Sequence, residues 1–206
     1  MHAISTSPLP VTSPAHDPPQ TLVIVGTDGA GKSTSIDALV HQLRNERIQA
    51  RKLANVAARS WLTKFSRAAG IAFPTFTQDF LETSIRCFNL ARNTFIAAHS
   101  PGLSVMARHL YCQLVLRRLS GHPDGLLLPW LARKSTEEAR IVLLDVDPHL
   151  AFKRINTRGT DEESLEYLEA SRAEYLRLAQ HHGWIILDAS IPTPQLVEQL
   201  RMIAGK

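Results

Sequence analysis

Cysteine is nearly absent from this 206-residue chain: Cys87 and Cys112 are the only two, outside any CxxC pair and away from a ligand-like histidine. That scarcity argues against a structural metal site and for a reducing compartment. Long apolar runs are missing as well. No stretch approaches the roughly 18 residues a membrane span requires, so no membrane partner is expected. The first residues lack the basic-then-apolar order of a secretion signal, and a cytoplasmic location is the expectation. A basic run with interleaved aromatics is also lacking, which excludes the usual footprint of a nucleic-acid polymer partner. There is no internal repeat. What remains is ordinary for a soluble globular protein: 44% hydrophobic and 20% charged residues, in a chain long enough for one domain with a real core. The net charge of +4 comes mostly from arginine. Guanidinium groups suit phosphate oxygens, although scattered surface arginines give the same total.

Residues 1–20 are rich in Pro, Ser and Thr with few large apolar groups. Such a segment offers too little burial to offset its ordering entropy, and it reads as a flexible tail. From Thr21 the pattern changes. TLVIVG is a short, continuous apolar run of the kind found in a buried parallel strand. A helix is expected from Lys32 to about Glu46, with Ile36, Leu39, Val40 and Leu43 on one face. IQARKLA reads as a second strand, about 78–99 as a long helix, and GLSVMA as a third strand. His109 to Leu119 reads as a helix, GHPDG as a turn, and the residues around Trp130 as a short helix. ARIVLLDVD follows as a strand, and Pro148 opens a helix at the position where proline is favoured. Ser164 to His181 reads as helix, GWIILDA as a last strand, and Thr193 to Ile203 as a closing helix. This alternation predicts an α/β fold over 21–206, a three-layer sandwich with about five parallel strands flanked by helices.

Between the first strand and the first helix lies GTDGAGKST, residues 26–34. Gly26-x4-Gly31-Lys32-Ser33 fits the phosphate-binding P-loop in its required strand–loop–helix context. Gly26, Gly29 and Gly31 let the backbone, with Asp28 and Ala30 between them, wrap its N–H groups around phosphates. The helix start at Lys32, Ser33 and Thr34 adds a favourable dipole. Lys32 is expected to reach the β- and γ-phosphates of ATP, and the Ser33 hydroxyl to ligate Mg²⁺. Asp28 would repel phosphate unless it faces the metal or the acceptor; a turn-stabilising contact is its plainer role.

VIVGTDGAGKSTSIDAL resembles the opening of the thymidylate kinases. LLDVDPHLAFKRINTRG is similar to that family's strand, Asp-x-x-Pro turn and arginine-bearing lid, and LEYLEASRAEYLRLA with WIILDAS to its following helix and last strand. The resemblance implies a P-loop NTPase fold with a lid near 153–163. It implies that Asp28 lies near Mg²⁺ and the acceptor's sugar, and that Arg154 and Arg158 are lid arginines, with Lys153 adjacent. Members without an arginine in the loop, as here with Ala30, supply that charge from the lid, which makes Arg158 the candidate for stabilising the transferring phosphoryl group. Either lid arginine can also be read as a solvated helix end. Arg86 and Arg108 match two arginines that contact the acceptor, or are helix-surface residues. Relatives often dimerise through helices near the acceptor site, so the 78–99 helix is a homodimer surface or simply core.

Several positions depart from the family pattern. Ala107 stands where the family keeps a carboxylate, leaving metal organisation to Asp28 and Ser33. Glu82 occupies the place of the base-stacking aromatic, while Phe80 and Phe88 read as core residues. ANVAARSWL lacks the family's Pro-Arg-Glu, with Arg59 as a substitute for phosphate work. Three functions stay open: a kinase for a nucleoside monophosphate with dTMP first, a kinase for a nucleoside or other small hydroxylated acceptor, and a non-catalytic ATP-binding regulator.

Overall fold

The computed structural model describes residues 21–54, 75–159 and 163–206, with the side chains of 54, 75–83 and 86 outside the description. The chain alternates strand and helix in the predicted order. β1 (Thr21–Val25) leads to α1 (Lys32–Asn45), β2 (Ala50–Ala54), α2 (Thr75–His99) and β3 (Leu103–Ala107). α3 (Leu110–Leu119) and α4 (Leu127–Lys134) precede β4 (Arg140–Asp145). α5 (Pro148–Arg158), α6 (Leu165–His182), β5 (Ile185–Asp188) and α7 (Thr193–Ile203) complete the described residues.

The five strands form one wholly parallel sheet in the order β2-β3-β1-β4-β5. β1 is therefore central, and its alternate side chains feed two separate cores. Leu22 and Ile24 join Ile36, Leu39 and Leu43 of α1 with Leu196 and Leu200 of α7 on one face. Val23 and Val25 join Leu110 and Leu114 of α3 with Tyr175 and Leu178 of α6 on the other. A strand buried on both faces must be apolar at every position, which is why TLVIV reads as a continuous run rather than an alternation. β5 lies at the sheet edge, and its Ile185 and Ile186 stay partly exposed.

Local chemistry fixes the ends of the helices that carry the site. Asp147 caps α5, its carboxylate accepting from the backbone N–H groups of His149 (3.0 Å) and Leu150 (3.2 Å), while Pro148 sits where no N–H is needed. The Ser164 hydroxyl accepts from Tyr167 N–H at the start of α6. α2 begins at Thr75, three residues earlier than the sequence periodicity indicates. Phe88, read from the sequence as core, is 71% exposed, and Phe95 one heptad later is 63% exposed. The helix turns Leu90 and Ala97 to the core instead, so its apolar residues exceed what a single buried face can absorb. The expected tail 1–20, Arg59 and Trp61, and residues 160–162 of the expected lid lie outside the described residues.

Candidate functional site

In open parallel sheets, ligand crevices form outside the carboxyl ends of the strands where the strand order reverses. Here that place lies beside β1, whose neighbours β3 and β4 are separated from it in sequence by crossovers in opposite directions. Gly26 to Gly31 leaves β1 at this point. A Cβ on Gly26 (φ 145°) would lie 2.6 Å from the Leu144 carbonyl oxygen, and one on Gly29 (φ 81°) 2.6 Å from that of Ala151. The loop is thus pressed against β4 and α5 at two positions that accept only glycine. Ala30 is buried against the core between them. α1 starts at Gly31 with no side-chain cap, so the N–H groups of its first turn remain available to an anion. The Ser33 and Thr34 side chains at that turn are exposed.

Lys32 is buried, and its Nζ donates to the carbonyls of Gly26 (2.8 Å) and Thr27 (2.5 Å). Its ammonium lies 3.6 Å from Asp28 Oδ1. Burial pushes the Lys32 pKa below the ordinary lysine value, and the Asp28 carboxylate only partly opposes this. Asp28 shows the converse balance. Burial raises its pKa, but the charges of Lys32, Arg108 and Arg158 outweigh it and hold the carboxyl below the usual range. Arg108 Nη2 approaches the same Oδ1 at 3.6 Å.

Arg108 follows the last residue of β3 and has φ 62°, a left-handed conformation unusual for a side chain of this size. The strain lets β3 end and its next side chain turn toward Asp28. Strained non-glycine residues cluster at functional sites, and this one sits at the mouth of a small cleft. Asp28, Lys32 and Arg108 line it together with Cys112 of α3 and Tyr167 and Tyr175 of α6. The free volume is only about 50 Å³, less than the roughly 300 Å³ at which small-ligand pockets begin.

The remaining sequence candidates are placed as follows. Arg154 Nη1 donates to the carbonyls of Ala189 (3.0 Å) and Gly29 (3.3 Å), tying α5 to the loop and to the end of β5. Arg158 ends α5 on the exposed surface, near enough for its charge to act on Asp28. Lys153 is exposed on α5. Arg86, Glu82 and Phe80 fall within α2, but their side chains lie outside the described residues. Ala107 ends β3 in register with Ile24, buried and without a carboxylate.

Sequence reasoning passed over the α6 wall. Tyr167, Ser171 and Tyr175 line the cleft at intervals of four, a spacing that puts them on one helical face and was legible in principle. Arg172, beside them, makes a bidentate pair with Asp145 at the end of β4 (2.7 and 2.8 Å). Arg118 of α3 bonds both Asp124 and Glu174, joining the two helices that flank the cleft. These pairs hold the cleft's walls in register with the sheet.

His109 was also overlooked. It is buried next to Arg108, with Nε2 2.9 Å from Ser135 Oγ. The Ser135 hydroxyl donates to the carbonyls of Leu131 and Ala132, so His109 Nε2–H must be the donor to Ser135. Burial lowers the pKa of this neutral imidazole to about 3, from the ordinary histidine value of 6.5. The unfolded chain takes up this proton as pH falls below about 6.5, whereas the folded chain resists until about pH 3. Stability contributed by neutral His109 is therefore complete above pH 6.5 and lost downward through that window. Chemical denaturation should show a loss of about 2 kcal/mol between pH 7 and pH 5 from this group. His109→Gln should flatten that limb; an unchanged slope would refute the assignment.

A buried lysine behind a close-packed glycine loop, at a helix start and on a parallel sheet, defines the class: an α/β protein of the P-loop NTPase type. The sequence profile of the thymidylate kinase family matches residues 77–200, more than half the chain. The chain belongs to the thymidylate kinase family. It is similar to a probable thymidylate kinase of Archaeoglobus fulgidus, 24% identical over 186 residues covering 88% of this chain and 93% of the relative. A probable thymidylate kinase of Sulfurisphaera tokodaii is 25% identical over the same shares. A thymidylate kinase of Coprothermobacter proteolyticus is 25% identical over 194 residues, 87% of this chain and 95% of the relative. At the level of the family the chain is a nucleotide kinase, a phosphotransferase. Among the described residues no helix is long and apolar enough to cross a membrane.

Proposed function

We propose that this chain transfers the γ-phosphoryl group of ATP, with Mg²⁺, to the phosphate of a nucleoside monophosphate, dTMP being the first candidate. The observation that carries this reading is the single carboxylate of Asp28, which sits 3.6 Å from both Lys32 of the donor loop and Arg108 at the end of β3. Donor and acceptor cations thus converge on one point. Bound Mg²⁺ would supply charge neutralisation across the donor phosphates, with the exposed Ser33 hydroxyl and Asp28 as the groups able to hold it or its waters. The chain's own residues do the positioning. The amides from Asp28 to Ser33 cradle the donor. Lys32 moves from the Gly26 and Thr27 carbonyls onto the β- and γ-oxygens. Arg108 holds the acceptor phosphate with Arg86, and Arg158 offsets the charge of the transferring group. Arg154 steadies the loop from behind through the Gly29 carbonyl.

The state of Asp28 bears on the choice of acceptor. A carboxyl held below its usual pKa by three cations is a weak proton acceptor, which favours an acceptor oxygen that is already anionic over a hydroxyl. The test is ADP release from Mg-ATP with dTMP, dUMP, AMP, CMP, GMP and thymidine. Fastest turnover with dTMP is expected. Turnover with thymidine alone would replace this reading with the hydroxyl-acceptor kinase, and ATP binding without turnover on any acceptor would leave a nucleotide-binding regulator.

The same reading includes a homodimer. Phe88 and Phe95 lie two helical turns apart on one exposed face of α2, and apolar residues so exposed favour a partner. Sedimentation of the wild type as a dimer, and of Phe95→Glu as a monomer, is the expected result; a monomeric wild type overturns it.

A further inference from the structure

Ser171 of α6 lines the P-loop cleft with Asp28, Lys32 and Cys112 and is only 3% exposed, yet its hydroxyl has no hydrogen bond with any described residue. A serine or threonine on a helix ordinarily returns its hydroxyl to a carbonyl three or four residues back. Ser135, Thr136 and Thr157 all do so, donating to the carbonyls of Leu131, Ala132 and Lys153. Ser171 does not, although Tyr167 stands one turn before it. Tyr175, one turn after it, has the Cys112 thiol as its partner. A buried hydroxyl without a partner costs stability, and a ligand that enters the cleft can supply the missing bond.

We infer that Ser171 positions the acceptor: its hydroxyl donates to a sugar hydroxyl of the bound nucleoside monophosphate, and that sugar hydroxyl donates in turn to Asp28. The inference rests on the kinase reading above. Its neighbours select the group. Asp28, flanked by Lys32 and Arg108 at 3.6 Å, presents only acceptors, so the ligand must bring a donor. A phosphate dianion brings none, and a sugar hydroxyl does. Val115 and Leu116 line the α3 side of the cleft and suit the carbon ring of a sugar. The free volume of about 50 Å³ is too small for a base but takes a hydroxyl and the carbon that bears it. Arg108 is among the lining residues, whereas Ser33 and Thr34 of the donor loop are not, which puts the cleft on the acceptor side.

The test is calorimetric binding of dTMP, of its 3′-deoxy analogue and of Mg-ATP to the full chain and to Ser171→Ala. The only free sugar hydroxyl of dTMP is the one on C3′. Ser171→Ala should raise the Kd for dTMP about five- to tenfold, the loss of one hydrogen bond. The Kd values for the 3′-deoxy analogue and for Mg-ATP should change by less than about twofold, since neither uses that bond. The thermal midpoint of the ligand-free variant should equal or exceed that of the wild type, because no bond within the protein is lost. The inference is overturned if Ser171→Ala weakens dTMP and the 3′-deoxy analogue equally, as a structural role or a bond to metal-bound water would. It is also overturned if dTMP binding is unchanged, if the midpoint falls by several degrees, or if the wild type binds neither monophosphate. Binding of dTMP with the expected pattern but no ADP release would support Ser171 and count against the kinase reading, so the two failures separate.

Discussion

Lys32→Ala is expected to reduce kcat about 10³-fold, a loss near 4 kcal/mol, the scale of removing one preorganised charge from a developing anion. Lys32 is the cation most deeply embedded in the loop, with its Nζ already among the Gly26 and Thr27 carbonyls and 3.6 Å from Asp28. No other described lysine lies in the cleft, so nothing replaces it. Lys32→Arg should fail almost as badly, because a planar guanidinium does not fit the buried slot that a narrow ammonium occupies. The defect should appear in kcat more than in acceptor KM, since Lys32 acts on the donor. Single-turnover measurement of ADP formation decides the matter. A variant keeping a tenth of wild-type kcat would mean that the loop holds nucleotide without this charge.

Arg108 gives the second large effect, and here activity and stability should part. Arg108→Ala and Arg108→Gly each remove the guanidinium that faces Asp28, and each should lower kcat/KM for the acceptor about 10²-fold, as expected for a charge-assisted phosphate contact. The two variants differ only in how they tolerate φ 62°. Glycine takes the left-handed conformation without strain, whereas alanine does not. Arg108→Gly should therefore be the more stable of the pair by about 1 kcal/mol, a thermal midpoint roughly 2–4 °C higher for a chain of this size. In ordinary strand or helix backbone the order is the reverse. Equal midpoints, or alanine above glycine, would show that the β3 end relaxes and that the strain does not aim the side chain.

These expectations rest on the geometry around one loop, and the sequence already located that loop. GTDGAGKST carries its structural demands in its composition: glycine where backbone must approach backbone, lysine where phosphate must be met. The strand before it and the helix after it are equally legible, since burial on both faces forces TLVIV to be apolar throughout and Ile36, Leu39 and Leu43 to recur at helical spacing. Asp147 and Pro148 announce the start of α5 for the same local reason. Information of this kind is contained within a few consecutive residues, and element order and fold class follow from it.

The acceptor side was less legible because its groups come from four separate places in the chain. Asp28, Arg108, Cys112 and Tyr175 share a cleft only after β1, β3, α3 and α6 have packed. The left-handed turn at Arg108 leaves no mark in VMARHLYCQ, and neither does the burial that keeps His109 neutral. Phe88 looks like core in the sequence and is exposed, because one helix has only one buried face and Leu90 and Ala97 occupy it. The packing around Trp184 has no motif at all: the Tyr111, His182 and Trp184 rings meet through tertiary contacts alone. The sequence by itself therefore determined the donor loop, the order of elements and the family, whose signals are local and periodic. The tertiary structure alone decided which side chains face one another across the sheet, since burial and charge pairing are set by distances in space rather than by distances along the chain.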